Sequence, residues 1–194
     1  MVQDHWAVTT ESRCGSTPRH ESLNQHIQST ASRNRPIGVR VNVRAQSLTL
    51  SRREAIFGEI FITLNARNFP DGRWNDFIVV VLGWWCEQCA NLLRGQLQAE
   101  LWFMDGPFFA QLQRTQDEVW AIRFLRHRAV ASPGMVETEP VSGLADPVAI
   151  SPQTFVGSVV RASEVILNEC VRRGWTTPEI DNLKREWSNL RLLV

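Results

Sequence analysis

The stretch FIVVVLGWWCEQCANLLRG, residues 77–95, decides how the chain is organised. Its first residues are apolar and β-branched, which permits a strand, but the segment is long enough for a helix of about five turns. Asn75 or Asp76, just before it, can cap a helix, and Gly95, just after it, is a typical helix end. The sequence therefore predicts a helix over residues 74–94.

Two cysteines in this stretch, Cys86 and Cys89, raise the alternative of a redox dithiol, the Trp-Cys-x-x-Cys arrangement of thioredoxin-type enzymes. That alternative requires the helix to begin near Gly83, so that free N–H groups lower a thiol pKa. The nearest proline for the opposite strand is Pro107, and the 17 intervening residues are too few for a helix, a strand and their connections. Two partly buried thiols on one helix face are the preferred interpretation, and a thiol-disulfide oxidoreductase is the alternative.

Alternating apolar residues predict strands on both sides of this helix. The last three long strands are joined by short turn sequences, which predicts an antiparallel meander. The predicted strands are GVRVNVRAQSLTL (38–50), AIFGEIFITLN (55–65), AELWFM (99–104), FFAQLQR (108–114) and VWAIRFLR (119–126), with one edge strand at MVETEPV (135–141).

Two amphipathic helices are predicted to close the chain, because Ser151-Pro152 and Thr177-Pro178 each join an N-cap to a proline at the first helical position. The fold class is therefore expected to be α+β, with one antiparallel, meander-rich sheet covered by a central helix and two C-terminal helices. The apolar stripes of these last two helices are Phe155, Val159, Ala162, Ile166 and Cys170, and Ile180, Leu183, Trp187 and Leu190.

The first 36 residues differ from the rest of the chain. They are rich in Ser, Thr, Asn, Gln and Arg and hold few apolar residues, so they are predicted to be a disordered N-terminal tail. Residues 37–194 are expected to form a single α+β domain, which the hydrophobic fraction of 43% can supply with a core.

Charge and hydropathy exclude several classes of partner. The formal net charge of +1 provides no general field for nucleic acid or for an acidic membrane. The longest apolar run, residues 77–86, has about half the length that a bilayer crossing needs. The N-terminus has no charged-then-apolar signal pattern, so a cytoplasmic protein is expected.

Catalytic signatures are few. Three of the four histidines lie in the tail, which leaves His127, and no glycine-rich phosphate loop is present. A zinc site at the cysteine pair would need two further ligands. We therefore expect no enzyme activity, no cofactor and no metal. The carboxylates that a paired-acid catalyst would use, Asp71, Asp76, Glu100 and Asp105, each have an ordinary role as a cap or turn residue.

Tryptophan is abundant, with eight residues in the chain. The adjacent Trp84 and Trp85 cannot face the same way on a helix. Either one faces the sheet and the other the C-terminal helices, or one is exposed as an interface anchor, since tryptophan is enriched at binding hot spots.

The segments NFPDGRWNDFIVVVLGWW (68–85) and LWFMDGPFFAQLQ (101–113) resemble the central part of small bacterial α+β proteins, in the style of the immunity proteins of polymorphic-toxin and contact-dependent systems. The resemblance implies a non-enzymatic binder that neutralises a cognate toxin in the cytoplasm. It also implies that acidic or aromatic surface groups contact the toxin's active cleft.

The expected partner is therefore another protein. Its contact surface is expected where acidic and aromatic residues coincide, at the loop of residues 70–76 and the turn of residues 105–108. A third hypothesis is a structural or oligomeric subunit that uses the C-terminal helix PEIDNLKREWSNLRLL (178–193) as its contact. The candidate contact residues are Asp71, Trp74, Asp76, Asp105 and Phe108.

Overall fold

A computed structural model of the chain describes residues 38–116, 119–129 and 136–194, so the predicted tail lies outside the described residues. Nine strands and three helices occur within these ranges. They are β1 (Val39–Leu50), β2 (Ile56–Leu64), β3 (Arg67–Phe69), β4 (Asn75–Asp76), α1 (Ile78–Leu93), β5 (Gln98–Trp102), β6 (Phe108–Gln116), β7 (Val119–Ala129), β8 (Val136–Pro140), β9 (Val148–Ile150), α2 (Pro152–Arg172) and α3 (Pro178–Arg191).

The strands form two antiparallel sheets. In the first sheet the order is β1-β2-β3, with β4 also paired to β2; in the second it is β5-β6-β7-β8, with β9 also paired to β7. The predicted α+β class and the predicted meander are confirmed. Two sheets stand where the sequence predicted one, because the strands before α1 and those after it pair only among themselves within the described ranges.

Helix α1 is the centre of the fold. It packs against β2 of the first sheet, β5 of the second, and both C-terminal helices. Trp85 is fully buried and donates its indole N–H to the carbonyl oxygen of Trp102 at 2.9 Å, whereas Trp84 keeps 40% of its surface exposed. Of the two arrangements expected for this pair, the structure shows the one in which a tryptophan is exposed.

The predicted start of this helix was wrong by four residues. Asn75 and Asp76 belong to β4, where they pair with Glu59 and Gly58 of β2, and the N-cap residue is Phe77, without a side-chain cap. The backbone hydrogen bonds of the first sheet therefore take precedence over helix capping. Gly95 follows the end of the helix with a positive φ, as its sequence position predicted.

The two C-terminal helices begin as predicted. Ser151 accepts the backbone N–H of Thr154 at 3.3 Å, and Thr177 accepts that of Ile180 at 3.4 Å. Every predicted stripe residue is buried except Trp187, which is half-buried. Among the described residues, no helix combines the length and the apolar character that crossing a membrane requires.

Candidate functional site

The loop of residues 70–76 and the segment of residues 103–108 meet at one corner of the molecule, which we call the corner surface. In the loop, the Asp71 carboxylate accepts the backbone N–H of Arg73 at 2.8 Å, and the Asp71 carbonyl accepts that of Trp74 at 3.2 Å. The Trp74 carbonyl in turn accepts the N–H of Ile60 at 2.9 Å. The loop is thus a tight turn fastened to β2.

The carboxylate of Asp76 joins the two segments. It has no exposed surface and accepts three N–H groups: those of Phe77 at 2.7 Å and Asp105 at 3.1 Å on Oδ1, and the Trp74 indole at 3.0 Å on Oδ2. Hydrogen bonds to an ionised acceptor are stronger than those between neutral groups. The three bonds compensate the burial of the carboxylate and fix the position of both segments.

The Trp74 ring packs over the second segment. It meets Phe108 edge-on, with ring centroids 5.3 Å apart, and Phe103 at 6.3 Å. Gly106 lies under the indole with a φ of 134°, and a Cβ at that position would be 2.9 Å from Cη2 of Trp74. Only glycine combines this backbone conformation with such a close approach.

The exposed part of the corner surface combines acidic and apolar groups. Asp71 and Asp105 are exposed, as is the Arg73 guanidinium between them in the chain. Trp74 and Phe108 are half-buried, so each presents part of its ring. Also exposed are Asn75, Pro107 and Met104, the last with 46% of its surface accessible. Charged groups beside partly exposed aromatic rings are a composition that protein-contact surfaces show.

All five predicted contact residues lie at this corner. Asp76 is buried, however, so it positions Trp74 and Asp105 and presents nothing to a partner. Two residues of the corner were not predicted: Phe103, the buried ring beneath Trp74, and the exposed Met104. Successive side chains of a strand point to opposite faces, so the strand predicted at residues 99–104 already implied that Phe103 and Met104 point in opposite directions.

The alternative redox pair lies in a different environment. Cys86 and Cys89 are fully buried within α1, where the backbone N–H groups belong to the helix ladder. Ser163 donates its hydroxyl to the carbonyl of Val159 at 3.0 Å, so the Cys86 thiol is the donor in its 3.3 Å contact with Ser163 Oγ. Burial raises the pKa of Cys86 to about 12 and that of Cys89 well above 9.0. Both thiols are therefore protonated near neutral pH.

The other candidate catalytic groups are also engaged in packing or hydrogen bonds. The Glu100 carboxylate accepts the indole N–H of Trp102 at 3.1 Å. The His127 ring lies edge-on to Trp102 and Phe109, at centroid distances of 4.9 and 5.1 Å. Within the described ranges, no three His, Cys, Asp or Glu side chains gather where they could hold a metal ion.

Comparison of the chain with protein-family models, with curated proteins and with solved structures gives no match. A functional proposal therefore rests on the geometry of the corner surface and on the resemblance drawn from the sequence.

Proposed function

We propose that the chain is a non-enzymatic protein-binding module, and that the corner surface is the part that contacts its partner. The partner is a cognate bacterial toxin, which the chain inhibits in the manner of an immunity protein. The observation that carries the proposal is the buried Asp76 carboxylate, because it fixes two exposed, functionally unexplained loops against each other.

Preorganisation supports a binding role. A loop that is ordered only on binding loses conformational entropy at that moment, which lowers affinity. Here both loops are held before any partner arrives, by the bonds from Trp74 and Asp105 to Asp76 and by the packing of Trp74 on Phe108. The exposed edges of Trp74 and Phe108 then form rigid apolar anchors, the kind of group that dominates binding energy at hot spots.

The charge of the corner surface indicates the chemistry of the partner. Asp71 and Asp105 are both exposed, against the single exposed cation Arg73. Exposed acidic groups accelerate association with a basic cleft and disfavour acidic partners. This surface matches a toxin with a basic active cleft, which is expected of a toxin that binds a phosphate-bearing substrate. The resemblance to immunity proteins likewise implies contact with the toxin's active cleft.

The test compares a corner variant with a matched control. Asp71→Lys combined with Asp105→Lys reverses the exposed acids without touching the Asp76 bonds. Glu87→Lys combined with Glu164→Lys makes the same charge change at two exposed acids on α1 and α2. Each tagged full-length protein is used to capture partners from the cytosol of the native host, and the bound proteins are quantified by mass spectrometry.

We expect a stoichiometric partner on the wild type and on the control, and its loss from the corner variant. Expression of that partner alone should arrest growth, and co-expression of the wild type should restore it. Absence of a stoichiometric partner on the wild type contradicts the binding-module proposal. A partner that is retained by the corner variant contradicts the assigned surface, and a partner that is harmless when expressed alone contradicts the toxin assignment.

A further inference from the structure

We infer that the groove between β1 and α2 is a second binding site, which takes an extended peptide bearing a carboxylate and holds it as an added strand. This site uses none of the corner residues, and it is independent of the function proposed above. Three observations carry the inference: an incompletely paired strand edge, an open groove beside it, and two cations that bond no described side chain.

The strand edge is the first observation. Among the described residues, β1 pairs only with β2, so its other side has no strand neighbour. On that side the N–H of Val41 donates to Ser158 Oγ at 2.9 Å. In an antiparallel ladder the polar groups alternate, so those of Val39 and Val43 point the same way as the N–H of Val41. No described residue forms a hydrogen bond with them, and such groups are a template for a further strand, which would replace the Ser158 hydroxyl as the acceptor of the Val41 N–H.

The groove is the second observation. It has a volume of about 480 Å³ and lies between residues 38–43 and the face of α2 that carries Gly157, Ser158 and Arg161. A Cβ at Gly157 would have no atom within 4 Å, so the floor of the groove is open. Ligand sites commonly have a few hundred cubic ångströms, enough here for a few residues of an extended chain.

The charges are the third observation, and they select the ligand. Arg40 and Arg161 line the groove and are exposed, and neither guanidinium bonds a described side chain. The lining contributed by the described residues contains no Asp or Glu. An incoming strand with an acidic side chain or a terminal carboxylate would pair with these cations, and guanidinium groups bind carboxylates with two parallel hydrogen bonds.

The same charges argue against a second copy of the chain as the occupant. A symmetric pairing of two β1 edges would place the same patch on both sides of the contact. The patch that contains Arg40 and Arg161 would then face a second copy of itself, and the lining that the described residues form supplies no acid to offset the four cations. An acidic peptide that adds as a strand would form backbone hydrogen bonds with the β1 edge, and its carboxylates would pair with the arginines instead of repelling them.

The probes are two pools of fluorescein-labelled peptides of about seven residues, with Val, Ile or Thr at alternate positions. One pool has Glu or Asp at the remaining positions, and the other has Lys there. Binding to the full chain is measured by fluorescence anisotropy. Exchange of the backbone amide protons of Val39 and Val43 is followed by NMR with and without the acidic pool.

We expect the acidic pool to bind at least about tenfold more tightly than the lysine pool, and to slow amide exchange at Val39 and Val43. Arg161→Glu should weaken binding by about tenfold or more, whereas Arg123→Glu, the same charge change on an exposed strand residue, should not. Gly157→Leu should abolish binding by filling the groove. The melting temperature of each variant checks that it folds. If Gly157→Leu does not fold, Gly157→Ala replaces it as a smaller substitution in the groove.

Equal binding of the two pools overturns the inference. Binding that survives Gly157→Leu or leaves the exchange of Val39 and Val43 unchanged also overturns it. A dimer that forms through this edge and is lost in Gly157→Leu would assign the groove to a second copy of the chain, and would overturn the peptide as its occupant.

Discussion

The Asp76 carboxylate accepts the backbone N–H of Asp105 at 3.1 Å, although the two residues are 29 positions apart in the chain. The same buried carboxylate accepts the Trp74 indole N–H at 3.0 Å. One side chain thus links the loop before α1 to the turn between β5 and β6. The shape of the corner surface depends on this link, so its removal is the most direct test of how the surface is built.

Replacing Asp76 with Asn should destabilise the protein by about 1–3 kcal/mol. The amide oxygen can still accept the N–H groups of Phe77 and Asp105. Its NH₂ group then faces the indole N–H of Trp74, and two donors cannot bond each other. The free energy of unfolding in urea measures the loss. Asp71→Asn is the matched control. Asp71 is exposed, and an amide oxygen at this position can still accept the backbone N–H of Arg73.

A double-mutant cycle isolates the indole contribution. Trp74→Phe removes the indole N–H, so Asp76→Asn should destabilise the Trp74→Phe protein by about 1 kcal/mol less than it destabilises the wild type. An equal loss in the two backgrounds would mean that the indole bond contributes nothing, and that the backbone N–H groups alone hold the two loops to Asp76.

Gly106→Ala should destabilise the protein by about 1–3 kcal/mol, because both its backbone and its surroundings require glycine. The φ of 134° is unfavourable for any residue with a Cβ, and that atom would lie 2.9 Å from the rigid Trp74 ring. Gly157→Ala is the comparison. It lies in a helix with open space around it, so it should stabilise the protein by about 0.5–1 kcal/mol. Urea unfolding should therefore show opposite signs, and a stabilised Gly106→Ala protein would mean that Trp74 does not restrict residue 106.

The long elements could be predicted from sequence, because their signals are local. Period-2 alternation indicated β1 and β2, and proline after an N-cap marked the starts of α2 and α3. The short strands β3, β4 and β9 span two or three residues, too few for a period to be visible. They exist because a neighbouring strand supplies hydrogen bonds, which is information that no local window contains.

The sequence predicted which residues form the candidate site, and the structure brings them together at one corner, but the sequence did not predict which of them are buried. Acidic and aromatic residues clustered in two loops, and this composition identified the corner. The burial of Asp76 depends on three donors, two of them within two residues of it and the third, the N–H of Asp105, 29 residues away. Its pairing in β4 likewise prevented the helix cap that Asn75 and Asp76 predicted. Tertiary contacts of this kind override local preference, so sequence alone assigned Asp76 to the surface.

The free energy of unfolding should fall at acidic pH, because Glu169 becomes protonated there. Hydrogen bonds from Arg172 and then Arg173 lower the pKa of this carboxyl from 4.5 to about 2. Arg173 also donates to the carbonyl oxygens of Leu48 at 2.6 Å and Ala45 at 3.2 Å, so the carboxylate orients a side chain that fastens β1 to α2. Because the pKa is lower in the folded state, the stabilisation is complete above about pH 4.5 and is lost as the pH falls towards 2.

The measurement compares wild type with Glu169→Gln by urea unfolding across this pH range. We expect the wild type to be more stable near neutral pH, and the difference to shrink as the pH falls from 4.5 to 2. Glu164→Gln, an exposed glutamate on the same helix, is the matched control and should change stability less. A difference that stays constant down to pH 2 would show that the charge of Glu169 does not stabilise the fold.

The buried thiols should be unreactive in the folded protein. Burial raises the pKa values of Cys86, Cys89 and Cys170, to about 12 for Cys86, and the thiolate is the species that alkylating agents attack. At about pH 8 the thiolate fraction of Cys86 is therefore roughly a thousandfold below that of an ordinary thiol, before steric exclusion is counted. Iodoacetamide should modify these residues only when the chain unfolds.

The experiment uses a Cys14→Ser variant, so that every adduct reports one of the three cysteines that the structure describes. Mass spectrometry should find no adduct after brief treatment in buffer and three in guanidinium, because denaturation exposes all three buried cysteines. Alkylation of Cys86 or Cys89 in buffer at the rate of a free thiol would mean that α1 opens or that a thiolate forms there. That result would favour the alternative function, a thiol-disulfide oxidoreductase, over the non-enzymatic binding module.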